Sequence, residues 1–428
     1  MQSSPPIRPS AAPRELLAAG TRRHQPTARL APLTQPTPRE LTEALRRAAE
    51  ELGLPRLGVT DTSPLEADEG RVLNWLGAGR AAEMSYLGDG GTSTYSPRAH
   101  PRSLLAEARS VVVVAVGYSP PQENRGPAQP VEAPSVLRGV VAAYARGTDY
   151  HHVVKDRLLL LADALADLLG RSVLARACVD SAPLLERALA VRAGLGFVAK
   201  NTMLLTPGHG SYFVLGELLV DVELETTHDS VVADGCGRCR ACLDACPTEA
   251  FPAPHVLDAG KCVSYLTIEL GGEVPRELRA GVGPRVFGCD VCQSVCPYNQ
   301  TAYKKPSDFE FAPKPHLDVV ELEKLLFLGS AGYRTLIRGT ALKRTHRAQL
   351  CRNAAIALGN SGLPEAIEPL RRAVGQHPLE LCRSHAAWGL GRLGFDFGLD
   401  SAREALRAAR THRDPAVREE VRIWCGDA

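Results

Sequence analysis

Cys236-Gly-Arg-Cys239-Arg-Ala-Cys242-Leu-Asp-Ala-Cys246-Pro247 and, downstream, Cys289-Asp-Val-Cys292-Gln-Ser-Val-Cys296-Pro297 are the stretches that decide how the chain is read. The first run has the spacing C-x2-C-x2-C-x3-C-P. The second is a shortened copy that lacks one cysteine, and Cys262 is placed to supply it. Three thiolates on one tight loop can wrap one corner of an iron–sulfur cube, and the fourth must come from elsewhere in the chain. These eight cysteines suffice for two [4Fe–4S] clusters. Structural zinc would favour paired C-x2-C elements that close a tetrahedron. It calls neither for a third cysteine three residues on nor for Cys-Pro twice.

The first run is the bacterial ferredoxin pattern, in which the cysteine before proline ligates the other cluster of the pair. One cluster then takes Cys236, Cys239, Cys242 and Cys296. The other takes Cys246, Cys262, Cys289 and Cys292. The expected fold here is a ferredoxin-like two-[4Fe–4S] domain over residues 229–313.

Composition bounds the remainder. A length of 428 residues suggests two or three domains, and 44% hydrophobic content is enough for ordinary cores. Eight of twelve cysteines sit in cluster spacing, which argues for a reducing compartment over a disulfide framework. Cys178, Cys351, Cys382 and Cys425 read as buried free thiols. A net charge of +2 does not advertise a polyanion partner for the chain as a whole. No apolar run reaches the length of a membrane span.

Upstream, residues 1–38 are rich in Pro, Ala and Arg and read as a disordered basic arm. Arg22-Arg23 invites an export reading, but the polar residues that follow contain no apolar core for a signal. From Thr37 the pattern changes. Thr37, Pro38 and Glu40 form a capping box for a helix carrying Leu41, Leu45, Ala48, Ala49 and Leu52 at helical spacing. Strands are expected at Leu57–Thr60, from Ser110, from Gly139 and at Val173–Val179. Helices are expected at Val72–Leu76, His151–Leu169 and Leu184–Ala193. Pro120–Pro134 reads as a polar loop. Met203–Leu205, a turn at Pro207–Gly210, and Tyr212–Leu224 read as a hairpin. The sum is a layered α/β domain over residues 39–228, and an α+β protein overall.

Asp180 stands where a strand ends and a helix begins. Its commoner role there is a helix N-cap. The functional alternative is an acid at a strand's C-terminal end, able to donate a proton if burial raises its pKa. Beyond residue 314, three segments resemble one another: Leu350–Gly359, Leu381–Gly391 and Val417–Gly426. They predict HEAT-like α-helical repeats over 314–428. Lys and Arg outnumber Asp and Glu in this tail. Lys343, Arg344 and Arg347 form its densest basic group, either a solvated face or a set of phosphate contacts.

These pieces together resemble the epoxyqueuosine reductase family over about residues 40–428. The resemblance rests on Val179-Asp-Ser-Ala-Pro-Leu-Leu-Glu186, Ala193–Gly196, Gly216–Asp221, the cysteine runs and Cys262-Val-Ser-Tyr-Leu-Thr-Ile-Glu269. The basic segment after Leu342 and the repeat after Cys351 fit as well. It implies a cytoplasmic, monomeric enzyme with two [4Fe–4S] clusters and a cobalamin in the α/β domain. It implies reduction of epoxyqueuosine to queuosine at the tRNA wobble position, the last step of queuosine biosynthesis. An external low-potential donor would feed the clusters, no membrane would be involved, and Asp180 would protonate the departing oxygen. By the same match Arg98, Asp180, Ala199, Asn201, Leu204, Ser264, Asp290 and Val291 would line the cobalamin. Lys343, Arg344 and Arg347 would hold the anticodon stem-loop. Two positions depart from the family pattern: His100 precedes Pro101 where an arginine is usual, and Asn201 replaces a frequent histidine. Two rivals share some of these parts. A reductive dehalogenase-like enzyme would act on a small molecule and lack the basic repeat tail. An iron–sulfur electron-transfer protein would lack catalysis and bound corrin.

Overall fold

The computed structural model describes residues 20–88, 94–118, 137–227, 234–301, 309–318 and 320–426. Ten strands lie among these residues: β1 (Thr21–His24), β2 (Leu57–Thr60), β3 (Ser110–Gly117), β4 (Arg138–Val141), β5 (Val173–Cys178), β6 (Phe197–Val198), β7 (Leu204–Leu205), β8 (Phe213–Val220), β9 (Arg285–Phe287) and β10 (Val320–Glu321). The helices used below are α1 (Pro38–Glu51), α2 (Glu66–Gly77), α3 (Tyr150–Leu169), α4 (Glu186–Arg192), α5 (Val263–Ile268), α6 (Arg276–Val282), α7 (Arg347–Gly359), α8 (Ile367–Gln376), α9 (Glu380–Phe395), α10 (Asp400–Ala408) and α11 (Pro415–Cys425).

The main sheet runs β1-β5-β8-β3-β2, with every neighbouring pair antiparallel. The valine run of β3 is buried on both faces, because side chains alternate along a strand. Val112, Val114 and Val116 join α1 and α3 in one core, while Val111, Val113 and Ala115 pack with α4 in another. The α1 start is as expected: the Thr37 hydroxyl accepts from the Glu40 N–H, and the Glu40 carboxylate accepts from the Thr37 N–H at 2.8 Å.

Three expectations need correction. The arm is ordered from residue 20, and residues 1–19 lie outside the described residues. Arg22-Arg23 sits inside β1, which pairs with Val173–Arg176 and covers the edge of β5. Asp167 then anchors the connection. Its carboxylate accepts from the N–H groups of Thr27, Ala28, Arg29 and Leu30 and from the Thr27 hydroxyl. The second correction is the hairpin. β7 pairs with β6, and the turn closes on itself through Thr206 and Gly210, while β8 joins the main sheet. Its long apolar run finds more burial between β5 and β3 than a two-residue partner could offer. Third, the strand from Gly139 ends at Val141 and belongs to a different sheet. The Pro120–Pro134 loop lies outside the described residues.

That second sheet, β10-β4-β9, joins the three regions. β4 comes from the α/β region, β9 from the cluster region and β10 from the helical tail. One apolar core continues through all three, from Leu158 past Phe287 and Leu322 to Leu350 and Leu390. The repeats stack as α7, α9 and α11 with α8 and α10 outside them. The small-residue face is explained by Gly359, whose added Cβ would lie 2.5 Å from the Gly389 backbone. No helix among the described residues is long and apolar enough to cross a membrane.

Arg352 fastens the repeats to the cluster region. It is fully buried, and its guanidinium donates to the carbonyls of Leu266, Leu270 and Gly272 at 2.6, 2.8 and 2.5 Å. Asn353 donates beside it to Thr267 and Val286. Burial lowers the Arg352 pKa to about 10, so the group stays charged at neutral pH. Arg352→Ala would strand three buried carbonyls, at a cost on the order of 3 kcal/mol. Denaturant unfolding should show that loss, whereas Arg371→Ala, which removes an exposed pair with Glu368, should change stability by no more than ~0.5 kcal/mol.

Candidate active site and cluster loops

The seven cysteines of the two runs and Cys262 divide in space. Cys236 and Cys296 pack with Phe197, Leu205 and Tyr298 beside the β6–β7 turn. Cys262 and Cys289 pack with Val263, Leu266, Ile356 and Trp388 at the junction with the repeats. Electrostatic contact follows the same division. Cys242 senses Cys296 and Cys239, and Cys262 senses Cys246. Cys292 senses Cys289, Cys262, Cys242 and Cys246, so the two groups adjoin there. Burial pushes the thiols of Cys236 and Cys289 up to about 11. They therefore ionise readily only with a cation among them, which suits an all-thiolate iron–sulfur donor set. Each run ends in a one-turn helix, Ala241–Asp244 or Val291–Ser294. Lys200 ties the first loop down through the carbonyls of Gly237 and Cys239, at 2.6 and 2.9 Å.

The spare thiols are free. Cys178, Cys351 and Cys382 are buried and Cys425 is half-buried. Cys351, His377 and Cys382 bring potential ligand atoms within 4.8 Å of one another in the repeat core. Both imidazole nitrogens are engaged by backbone, however: Nε2 meets the Leu326 carbonyl at 3.0 Å and Nδ1 accepts from the Leu379 N–H at 3.2 Å. The neighbouring Cys382 and His377 side chains hold the Cys351 thiol below its usual range.

Asp180 does not cap α4, whose start has no side-chain cap. It follows β5 with φ of +55°, a left-handed conformation that Asp tolerates better than most residues. Its N–H donates to Glu186 at 2.5 Å, which frees the carboxylate to point elsewhere. Tyr150 donates its O–H to Asp180 Oδ2 at 2.8 Å, and His151 Nε2 faces the same oxygen at 3.4 Å. Burial alone does not raise the Asp180 carboxyl. The His151 contact outweighs burial and, with Tyr150, holds the Asp180 carboxyl below the usual range. Sequence reasoning missed these partners, although Asp149-Tyr150-His151-His152 is a polar run opening an amphipathic helix.

Behind Asp180 lies a second pair of acids. Glu217 on β8 is fully buried with no N–H or O–H donor on its carboxylate, and it faces Glu186. Burial, then the Asp180 charge, pushes Glu186 up to about 7, and Glu217 is raised further still. Two carboxyls facing each other out of water favour the protonated form.

The remaining candidates lie on several segments. Arg98 donates to the Tyr86 carbonyl at 2.9 Å and senses Asp180 and Glu186. Ala199 and Leu204 are buried on either side of the turn that holds Asn201. Asn201 is buried too and donates to the Cys292 carbonyl at 3.1 Å. Asp290 accepts from the Ala143 N–H at 2.8 Å. Val291 and Ser264 are half-buried beside the second cysteine set. The basic segment reaches the same rim. Lys343 pairs with Asp149 at 2.6 Å. Arg344 makes a two-pronged contact with Glu269 at 2.9 and 3.1 Å and lies over the Tyr86 ring. Arg347 instead turns to the Leu328 carbonyl.

The acid pair has a measurable consequence. An acid whose pKa is raised by folding favours the fold only while protonated. Stability therefore falls as pH rises from the ordinary glutamate range through about 7. Glu217→Gln, which can donate to Glu186, should make that fall shallower and raise the melting midpoint in mildly alkaline buffer. Melting curves across the pH range check this, and a lower midpoint would refute the pairing.

Family models match three regions: "Epoxyqueuosine reductase QueG, DUF1730" at residues 98–181, a 4Fe-4S double cluster binding domain at 235–299, and HEAT repeats at 340–424. The epoxyqueuosine reductase of Pseudomonas aeruginosa is 40% identical over 364 residues, covering 85% of this chain and 97% of that protein. That of Escherichia coli is 37% identical over 354 residues, covering 82% and 89%. A crystal structure of epoxyqueuosine reductase with an epoxyqueuosine-modified tRNA-Tyr stem loop superposes with a TM-score of 0.77 at 31% identity, covering 89% of this chain and 96% of that one. A Bacillus subtilis epoxyqueuosine reductase, solved with its catalytic aspartate loop swung out of the active site, gives 0.74 at 30% identity, covering 89% and 97%. With its double-cluster domain, its HEAT repeats and relatives matched along nearly their whole length, the chain belongs to the epoxyqueuosine reductase family of oxidoreductases.

Proposed function

We propose that the chain reduces epoxyqueuosine to queuosine at the tRNA wobble position, completing queuosine biosynthesis, with Asp180 as proton donor. One observation carries the reading: Asp180 lies within electrostatic reach of Arg344, at a rim shared by the cysteine loops and the basic repeat segment. A single substrate bound there would meet an electron source, an acid and cations together. The tRNA stem loop held by a relative at 31% identity supports an RNA substrate. An anticodon loop can present a base splayed out of its stack.

The reaction adds two electrons and two protons to the epoxide and releases an alkene and water. Cluster ligation is proposed as Cys236, Cys239, Cys242 and Cys296 for one cube, and Cys246, Cys262, Cys289 and Cys292 for the other. The residues also fit a broad flat macrocycle carrying amide arms. The rings of Tyr86, Tyr144 and Tyr150, the Arg98 guanidinium, the Ser264 hydroxyl and the backbone of Ala199–Leu204 would hold it, together with Asn201, Asp290 and Val291. When bound, cobalamin would supply low-potential electrons to the epoxide. Asp180 is held by Tyr150 and His151 so that one carboxylate oxygen has a fixed direction. Substrate laid over it would exclude water and raise its proton affinity. Arg344 and Lys343 would meet phosphates at the rim, exchanging their present carboxylate partners for them, with Arg347 behind.

Anaerobic loading with iron, sulfide and cobalamin tests this. We expect about eight irons per chain and queuosine formed on epoxyqueuosine-containing tRNA from an external reductant. Asp180→Asn should lower kcat by about 10²–10⁴-fold with both cofactors still bound. Full activity of that variant would remove Asp180 from the chemistry, and failure to bind cobalt would remove the corrin.

A further inference from the structure

We propose that His151 stores the proton that Asp180 delivers, with buried Asp149 fixing the imidazole and Lys343 tuning it from the RNA-facing side. The inference rests on the proposed role of Asp180.

The arrangement is linear. Asp149 is the N-cap of α3 and its side chain is only 1% exposed. Its Oδ1 accepts from the His151 N–H at 3.2 Å and from His151 Nδ1 at 2.7 Å. That second bond fixes the ring, so Nε2 points at Asp180 Oδ2, 3.4 Å away. The ring also stacks on Tyr150, with centroids 4.1 Å apart. A carboxylate on each side leaves no acceptor role for either nitrogen, so the stable form is the doubly protonated ring. A buried aspartate that orients a histidine toward the reacting group is the logic of catalytic triads.

The charges around the ring decide its state. Burial opposes the imidazolium most strongly as a single effect, but Asp149 and Asp180 together overcome it and push His151 up to about 9. Asp149 remains ionised because His151 and Lys343 outweigh its own desolvation. Lys343 stands 2.6 Å from Asp149 Oδ2 as an ion pair and also donates to His152 at 3.1 Å. Arg344 favours the charged form of Asp180 from the same segment, and Glu186 lies behind it. Tyr144 and Tyr150 are held protonated by burial. Among these groups, His151 is the cation whose N–H faces the Asp180 carboxylate.

The proton count then closes. The His151 Nε2–H bond breaks and an Asp180 O–H bond forms, and Asp180 passes that proton to the oxygen as a C–O bond cleaves. His151 regains a proton from solvent through its partly exposed edge, 26% open. The second proton follows the same route as water leaves, and both electrons come from the reductase's own donor. Because Lys343 belongs to the proposed RNA contact, phosphate that draws it from Asp149 would raise the proton affinity of His151. Substrate binding would thereby charge the store.

The test compares wild type, His151→Gln, Lys343→Gln and Asp180→Asn as fully loaded protein on an epoxyqueuosine-containing stem-loop, from pH about 6 to about 10. Wild-type kcat/KM should fall as pH rises through about 9, the value for the free enzyme. His151→Gln should lower kcat about 10²-fold and abolish that limb, with KM changed by less than about threefold. Lys343→Gln should move the limb upward. Nitrogen NMR of histidine-labelled protein should find both His151 nitrogens protonated at neutral pH, independent of turnover. A neutral His151, an unshifted limb in Lys343→Gln, or normal kcat in His151→Gln while Asp180→Asn is inactive would each overturn this inference and leave the Asp180 reading standing. An active Asp180→Asn would overturn both.

Discussion

The carbonyls that follow Cys262 impose the constraint on which the architecture depends. Backbone that wraps a cluster cannot also run in a long helix or sheet, so its polar groups need partners from elsewhere. Leu266, Leu270 and Gly272 find them in one fully buried guanidinium, that of Arg352, and Thr267 and Val286 find theirs in Asn353. A buried arginine is costly to desolvate, and it persists here because every prong meets an oxygen. The consequence is positional. With α7 fixed to the cluster region, the segment just before it, Ala341–Arg344, is delivered to the rim near Asp180.

The three-stranded sheet does the same work with backbone bonds. β4, β9 and β10 are each four residues or fewer, too short to be stable apart. Paired, they bring the start of α3, the Cys289–Cys292 loop and the first repeat to one place. Gly288, with φ of +69°, passes so close to Ala142 that a Cβ there would lie 2.6 Å from the Ala142 methyl. The fold is in this sense one body, although its regions have distinct sequence characters.

Charge in the site is arranged in alternation: Lys343, Asp149, His151, Asp180, with the Glu186–Glu217 pair beyond. Each member sets the protonation of the next. Asp149 can stay ionised in a buried position only because two cations flank it, and His151 can stay charged only because two carboxylates do. Such a chain responds as a unit, and its outer end is the side where a polyanion would arrive.

What was legible in the sequence was what depends on local spacing. Seven of the eight cluster cysteines stand at fixed intervals on two tight loops, with Cys262 between them. The Thr37–Glu40 cap, the β3 valines and the repeats at Leu350, Leu381 and Val417 each follow from a period or a short motif. What misled was whatever depends on distant partners. Residues 21–30 look disordered by composition, and they are ordered because β5 offers an edge and Asp167 gathers four N–H groups. The β8 run suggests a hairpin, yet the sheet outbids a two-residue partner. Asp180 reads locally as a cap or a burial-raised acid, and its charge is set by His151, twenty-nine positions earlier in the sequence. The sequence by itself determined the cluster loops, the helical repeats and the family, because thiol spacing and helical period are properties of neighbouring residues. Only the tertiary structure decided the protonation of the site, because electrostatic energy depends on separation in space, and folding alone brings Asp149, His151, Asp180 and Lys343 within reach of one another.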